Sequence, residues 1–445
     1  MTDSSDSSFK APSPSFAEAL KVWLKIGLLS FGGPAGQIAL MHRILVDEKK
    51  WLTEPQFLHA LNFCMLLPGP EAQQLATYSG WLLHGLRGGL VAGLLFILPG
   101  VAVMLGLSYV YVSFAHIGFV AAIFFGIQCA VFAVVVEALL RIAKRMLKSQ
   151  IMYAISAVAF IALFFFDLPF PIVILSAGLI GLWLGRYAPH LLGARVASDE
   201  PEAAAASKPS LMRACITIVS GLAVWWGPVL ALVLALGPDH VLVREALFFS
   251  KMAVVTFGGA YAVLAYVAQE AVTNFGWLAP HEMLAGLGLA ETTPGPLILV
   301  LQFIGYVAAY RDAAPFDPAV AGVVGALVTT WVTFVPCFLW IFVAAPYVEA
   351  VRQVKSLNAA LTAITAAVVG VILNLVVWFG LHVFFGTVQE IHAGPMRLWW
   401  PDPASIDLWA LALAGAALIA MLRFHAGMIV TLGGCAALGL AIRLL

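Results

Sequence analysis

The chain has 445 residues, 62% of them hydrophobic and 10% charged, with 23 Lys and Arg balanced by 23 Asp and Glu, and a mean hydropathy of +0.99. Soluble domains carry roughly 45–50% apolar and 25% charged residues, so this composition excludes a soluble domain and places the chain in a bilayer. The even charge leaves no global field for nucleic acid, and Cys64, Cys129, Cys215, Cys337 and Cys435 stand singly, without the spacing of a disulfide framework or a metal site.

Residues 1–15 are polar and lack the basic-then-apolar order of a cleaved signal peptide, which predicts a short disordered tail. An apolar segment over 16–46 is interrupted by Phe31-Gly32-Gly33-Pro34, and a second over 56–84 by Pro68-Gly69-Pro70. Plain spans of about 20 residues follow near 91–113, 118–140, 150–166 and 170–187, and the Ala-rich stretch 193–211 reads as a linker. One span near 212–236 leads to two more interrupted segments, 245–272 broken at Phe257-Gly258-Gly259 and 281–310 broken at Pro294-Gly295-Pro296. Plain spans near 318–345, 357–386, 405–422 and 425–444 complete the chain, nine plain spans in all. Each interrupted segment either crosses once as a broken helix or dips in and returns.

The passage 25–70 recurs at 251–296 with a constant offset of 226 and no gap. Lys25, Phe31-Gly32-Gly33, Ala39, Trp51-Leu52, Leu61 and Pro68-Gly69-Pro70 stand where the second copy has Lys251, Phe257-Gly258-Gly259, Ala265, Trp277-Leu278, Leu287 and Pro294-Gly295-Pro296. Matches on Gly, Pro, Trp and Lys mark an internal duplication of a membrane transporter. Arg141, Lys144, Arg145 and Lys148 crowd one loop, and Arg186, Arg195, Lys208 and Arg213 flank the linker, which assigns both to the cytoplasm. Arg352, Lys355 and Arg423 agree with that orientation, whereas Arg311 and Arg397 count against it. The predicted fold is an all-α polytopic membrane protein made of two inverted-topology repeats with broken or re-entrant helices, joined by one extra span. Its divisions are a tail (1–15), an N-terminal repeat (16–192), a linker (193–211), a connecting span (212–240) and a C-terminal repeat (241–445).

Pro68-Gly69-Pro70 cannot continue a helix, because proline removes a donor and pushes its predecessor towards extended backbone. A helix restarting after such a break presents bare amides and the positive end of its dipole, a place for an anion. The same holds for Gly32-Gly33-Pro34, and more weakly for Gly258-Gly259, where Ala260 replaces proline. A single kink relaxed by neighbouring helices decides nothing, but four breaks in two matched pairs point to a shared site. Candidate substrate-binding residues are therefore Lys25, Ser30, Gly32, Gly33, Pro68, Gly69 and Pro70, with Lys251, Thr256, Gly258, Gly259, Pro294, Gly295 and Pro296. The lysines either approach a dianion or snorkel to the interface, and the hydroxyls of Ser30 and Thr256 either donate to the ligand or bond their own helix. Glu71, Gln73, Gln74, Asn62 and Glu291 are polar or coupling candidates, with Glu71 read equally as a helix cap or a proton carrier. Arg43 and Arg87 are anion-attracting mouths at most. His281-Glu282 does not complete a zinc-protease motif and no phosphate-binding loop of the Walker type occurs, so no catalytic residue, metal or cofactor is expected.

Several stretches resemble the chromate ion transporter (CHR) family: SFGGPAGQIALMHR, WLTEPQFLHALNFCMLLPGPEAQQLATYSGW and ILPG in the first half, TFGGAYAVLAYV and ETTPGPLILVLQFIGY in the second. The resemblance covers nearly the whole chain in the family's two-domain form. It implies a multi-pass carrier of the bacterial inner membrane that exports chromate and confers chromate resistance, with sulfate as the similar oxyanion. Expected partners are chromate, sulfate, the lipid bilayer and a second copy in a homodimer. The alternatives are sulfate uptake or exchange, a channel, and a membrane-embedded lipid-phosphate enzyme.

Overall fold

Local backbone chemistry sets the ends of the first helices. In the computed structural model, which describes residues 14–192, 211–257, 260–347 and 355–444, α1 (Phe16–Leu29) begins where the Ser15 hydroxyl accepts from the Glu18 amide at 3.2 Å. Gly32 and Gly33 have φ of +88° and +68°, a left-handed backbone that favours glycine. Pro34 then opens α2 (Gly33–His42), which a π turn extends to Glu48. α3 (Glu54–Cys64) stops before Pro68-Gly69-Pro70, and α4 (Glu71–Phe114) restarts after it. Helices α5 (Gly118–Met146), α6 (Gln150–Phe164), α7 (Phe170–Tyr187) and α8 (Leu211–Leu236) follow.

The opening pattern then recurs in α9 (Val241–Val255), α10 (Ala260–Gln269) with its own π turn at Glu270–Asn274, α11 (Pro280–Thr292) and α12 (Val300–Arg311). The offset of 226 holds to single hydrogen bonds: Trp51 N donates to Leu45 O and Trp277 N to Ala271 O, each at 2.8 Å. Gln56 accepts from the Thr53 amide at 3.0 Å, and Glu282 accepts from the Ala279 amide at 2.8 Å. The remaining helices are α13 (Pro318–Ala344), α14 (Lys355–Phe384), α15 (Leu408–Phe424) and α16 (Met428–Leu444). The expected tail over 1–13, the linker over 193–210, Gly258, Gly259 and Arg352 lie outside the described residues.

All four broken segments return to the side from which they enter. Lys49 reaches Glu18 at 2.8 Å, so α1 and α2 form a hairpin with Gly32-Gly33 at its tip. α4 reverses at His84-Gly85, where Gly85 has φ of +61°; a Cβ on Gly80 would collide with the carbonyl oxygen of Gly88, which a straight helix would hold about 12 Å away. α3 and the first arm of α4 thus form a second hairpin, tied to the same face by His84, whose ring meets the Pro14 carbonyl at 2.9 Å. In the second repeat Arg311 bonds Glu282 at 2.6 Å and the Trp277 carbonyl at 3.0 Å, and His240 meets the Ala314 carbonyl at 2.9 Å, so both hairpins open on the opposite face. The second arm of α4, with α5, α6, α7, α8, α13, α14, α15 and α16, runs from face to face. Among the described residues six helices are long and apolar enough to cross a membrane. The architecture is that of two inverted repeats in a helical membrane protein.

One non-helical element interrupts this plan. Strands β1 (Val388–Ala393) and β2 (Met396–Pro401) form a hairpin, with Gly394 (φ +63°) opening its two-residue turn. Arg397 is 3% exposed; it pairs with Asp167 at 2.7 Å and donates to the Leu163 carbonyl at 2.9 Å, while its amide donates to the Phe165 carbonyl at 2.7 Å. Its charge on the second face, adverse to a loop-charge count, is used as a clamp on the α6–α7 turn.

Candidate functional site

The tips of the four hairpins meet. Gly69 N donates to the Thr256 carbonyl at 2.8 Å, and Gly295 N donates to the Ser30 carbonyl at 2.8 Å. Donors and acceptors are related by the offset of 226, so each Pro-Gly-Pro break of one repeat is bonded to the glycine break of the other. The approach is close on both sides. A Cβ on Gly69 would stand 2.8 Å from Cys337 Sγ, and one on Gly100 would collide with the Pro294 carbonyl. Gly100 and Cys337 each follow the interior proline, Pro99 or Pro336, of a spanning helix, so each repeat lends its spanning helix to cover the other's break.

Between the tips lies a cavity of about 10 Å³, lined by Pro34, Gln37, Pro70, Glu71, Ala72, Ala260, Pro296 and Leu297. These residues come from the first turns after the four breaks. The leading amides of a helix have no partner within it, so four positive dipole ends face one small space. Its size holds at most one water. A tetrahedral oxyanion therefore requires the tips to separate.

The candidate residues take different places around this centre. Pro70 and Pro296 line the cavity, while Gly69 and Gly295 make the cross-repeat bonds behind it. Pro68 uses its carbonyl to accept from Gln74 Nε2 at 2.7 Å, and Gly32 and Gly33 form the turn that sends α2 towards the cavity. The Ser30 hydroxyl donates to the Ile26 carbonyl at 2.6 Å and the Thr256 hydroxyl to the Met252 carbonyl at 2.5 Å, so both serve their own helices. Lys25 is exposed and lies 4.0 Å from Glu48; Lys251 is also exposed, 5.9 Å from the centre of the Tyr266 ring. Asn62 is exposed as well.

Polar equipment divides unequally between the repeats. Glu71 borders the cavity without a hydrogen bond or ion pair among the described residues. Gln73 and Gln74 are fully buried on the same helix, each with a side-chain oxygen that accepts from no protein donor. Their matched positions hold Leu297, Leu299 and Val300. On the other flank the Tyr261 hydroxyl donates to Glu291 at 2.5 Å, joining the start of α10 to the end of α11.

Gln37 is the residue that sequence reasoning missed. Its Nε2 donates to the Gly295 carbonyl at 2.6 Å and the Ser30 carbonyl at 3.3 Å, and its Oε1 is buried without a donor. A signal was present: an amide side chain one turn into a restarted helix, with Val263 at the matched position.

The profile of the chromate transporter family matches residues 17–182 and 244–440, which takes in both sets of hairpins. The chain belongs to that family. It is 33% identical over 364 residues to a chromate transport protein of Pseudomonas aeruginosa, covering 81% of this chain and 80% of the relative. It is 27% identical over 378 residues to a chromate transport protein of Cupriavidus metallidurans, covering 84% and 85% respectively. A probable chromate transport protein of Synechococcus elongatus is 26% identical over 422 residues, 93% of this chain and 98% of the relative. No solved structure matches this transporter.

Proposed function

We propose that this transporter carries chromate outward across a bacterial inner membrane and so gives chromate resistance. The observation that carries the reading is that the residues following all four helix breaks line one cavity, and the start of a helix, with its leading amides and positive dipole end, is suited to an anion. Such a site suits a compact dianion and needs no fixed cation. The names of the relatives supply chromate as that dianion.

The face bearing Arg141, Lys144, Arg145 and Lys148, which is also the face of the first pair of hairpins, is the cytoplasmic one by the positive-inside rule. Moving two negative charges outward, down an interior-negative potential, releases about 4.6 kcal/mol per 100 mV, enough to drive export without nucleotide. Transport then alternates between tips joined as here and tips parted towards one face, with the Gly69–Thr256 and Gly295–Ser30 bonds broken and remade on each cycle. The units in this reading are an N-terminal repeat over 16–192 and a C-terminal repeat over 241–445, held by the linker and α8. Sulfate has the same shape and charge, so its uptake or exchange through the same cavity is the second reading.

Everted vesicles decide between them. Labelled chromate should accumulate in vesicles with an interior-positive potential, and excess sulfate should compete weakly. Accumulation only in right-side-out vesicles, or sulfate displacing chromate at equal concentration, overturns the export reading.

A further inference from the structure

Away from the cavity, the second repeat buries a carboxyl that the first repeat does without. Glu245, in the second turn of α9, is 0% exposed, and neither of its oxygens has a hydrogen-bond partner. A Cβ built on Gly325 of α13 would stand 3.1 Å from its Oε2. One turn further along α13 the Thr329 hydroxyl is also buried without a partner, against Gly305 of α12. The corresponding junction of the first repeat is built alike, with Gly80 packed on Gly88 and Ala92 where Gly305 packs on Gly325 and Thr329. There, however, the position matched to Glu245 is Ala19, and Ala92 stands in place of Thr329. The fold therefore closes this junction without polar groups, and an unpartnered buried carboxyl costs several kcal/mol. Its presence in one repeat only calls for a functional cause.

We propose that Glu245 is a proton-binding site that couples proton movement at the second face to opening of the second repeat. The proposal rests on the transport reading above. α9 starts at His240 on that face and ends at the glycine break, and α12 links the same face to Pro294-Gly295-Pro296. Glu245 thus sits between the outer ends of two helices whose inner ends form half of the anion site. With the proton bound, the carboxyl lies neutral against Gly325 and α9 packs on α13. Release of the proton to water at the second face leaves a carboxylate that has no cation to meet it, and its hydration requires α9 to move off α12 and α13, which parts the tips.

The surroundings offer no competing partner. From α12 come Tyr306, whose hydroxyl is also unpartnered, Tyr310, and Arg311, which is committed to Glu282. α13 contributes no ionisable side chain along this stretch; α8 carries Arg213 and Cys215 at its far end; and Arg244 of α9 lies over the Phe275 ring at 5.3 Å. The Gly305–Thr329 and Gly325–Glu245 packing leaves little room for a hydrated metal ion, which favours a proton as the ligand.

The test uses the full-length chain in everted vesicles at fixed membrane potential, with and without an acid lumen. The lumen acid holds the proton on Glu245 and should slow chromate uptake by wild type roughly fivefold or more, and E245Q, neutral at every pH, should show the slow rate with or without the acid. T329V should reduce the pH effect in part. Undiminished slowing by acid in E245Q, or acceleration of wild type by the acid lumen, overturns the proposal. Infrared spectra of the purified protein give a readout independent of transport. A carboxylic-acid C=O band that disappears on raising the pH should be present in wild type and absent in E245Q; a wild-type band that ignores pH overturns the proposal as well. If wild type moves no chromate at all, the transport reading fails, while the infrared titration still decides Glu245.

Discussion

The amide of Gly69 donates to the carbonyl of Thr256 at 2.8 Å, across the boundary between the repeats, and the bond from Gly295 to Ser30 repeats it with the roles of the halves exchanged. A hairpin tip in hydrocarbon would otherwise strand these polar groups at several kcal/mol each. Each repeat therefore satisfies the other's broken backbone, and neither tip can leave without exposing both.

Substitution at this junction should be costly. Gly69 has φ of +128° and no space for a methyl group beside Cys337, so G69A should lose about 1–3 kcal/mol of stability and most chromate uptake. G106A, on a helical glycine with open space around it, is the control. Thermal melts in detergent together with vesicle uptake check this; a G69A protein that melts and transports like wild type contradicts the packing described.

Gln37 holds the Gly295 carbonyl at the tip of the opposite repeat and the Ser30 carbonyl of its own. Replacing it by the residue at its matched position, as Q37V, leaves the Gly295 carbonyl without a side-chain donor, at a cost of about 1–3 kcal/mol. The melting temperature should fall and retained chromate should be released faster. Unchanged release would mean that the stitch does not gate the site.

Glu71 puts a carboxyl where the anion should sit. E71Q removes the like charge and should tighten chromate binding by roughly tenfold at neutral pH, about 1.4 kcal/mol. Equilibrium binding in detergent measures it, and equal affinities would show that Glu71 does not face the anion as a carboxylate.

Lys25 and Lys251 are exposed, on the outer sides of α1 and α9. The double variant K25A/K251A should keep chromate uptake within about twofold, as expected for surface charges with weak interactions. A loss of an order of magnitude would return both lysines to the transport path.

Arg397 should act on stability alone. R397A strips the Leu163 carbonyl of its donor and Asp167 of its partner, and should cost about 1–3 kcal/mol. Uptake per folded molecule should stay unchanged, so a selective loss of transport would point to a functional part for the β-hairpin.

Helix breaks belong to a few consecutive residues. Proline lacks a donor and glycine reaches positive φ wherever it stands, so the breaks at Gly32-Gly33, Pro68-Gly69-Pro70 and Pro294-Gly295-Pro296 were legible before any fold was known, as were the bilayer, the duplication and its inversion. What receives the freed groups is a matter of distant packing. The return of each broken segment to its own face follows from pairs such as Lys49 with Glu18 and Arg311 with Glu282, and no property of either residue alone declares it. The same holds for Gln37, whose use depends on a carbonyl 258 positions away, for the Arg397 clamp, and for Glu245, an ordinary acidic residue until α12 and α13 close over it. The sequence by itself determined where this chain must stop being helical; the tertiary structure alone decided that all four stops share one cavity, because only long-range contacts bring their orphaned backbone together.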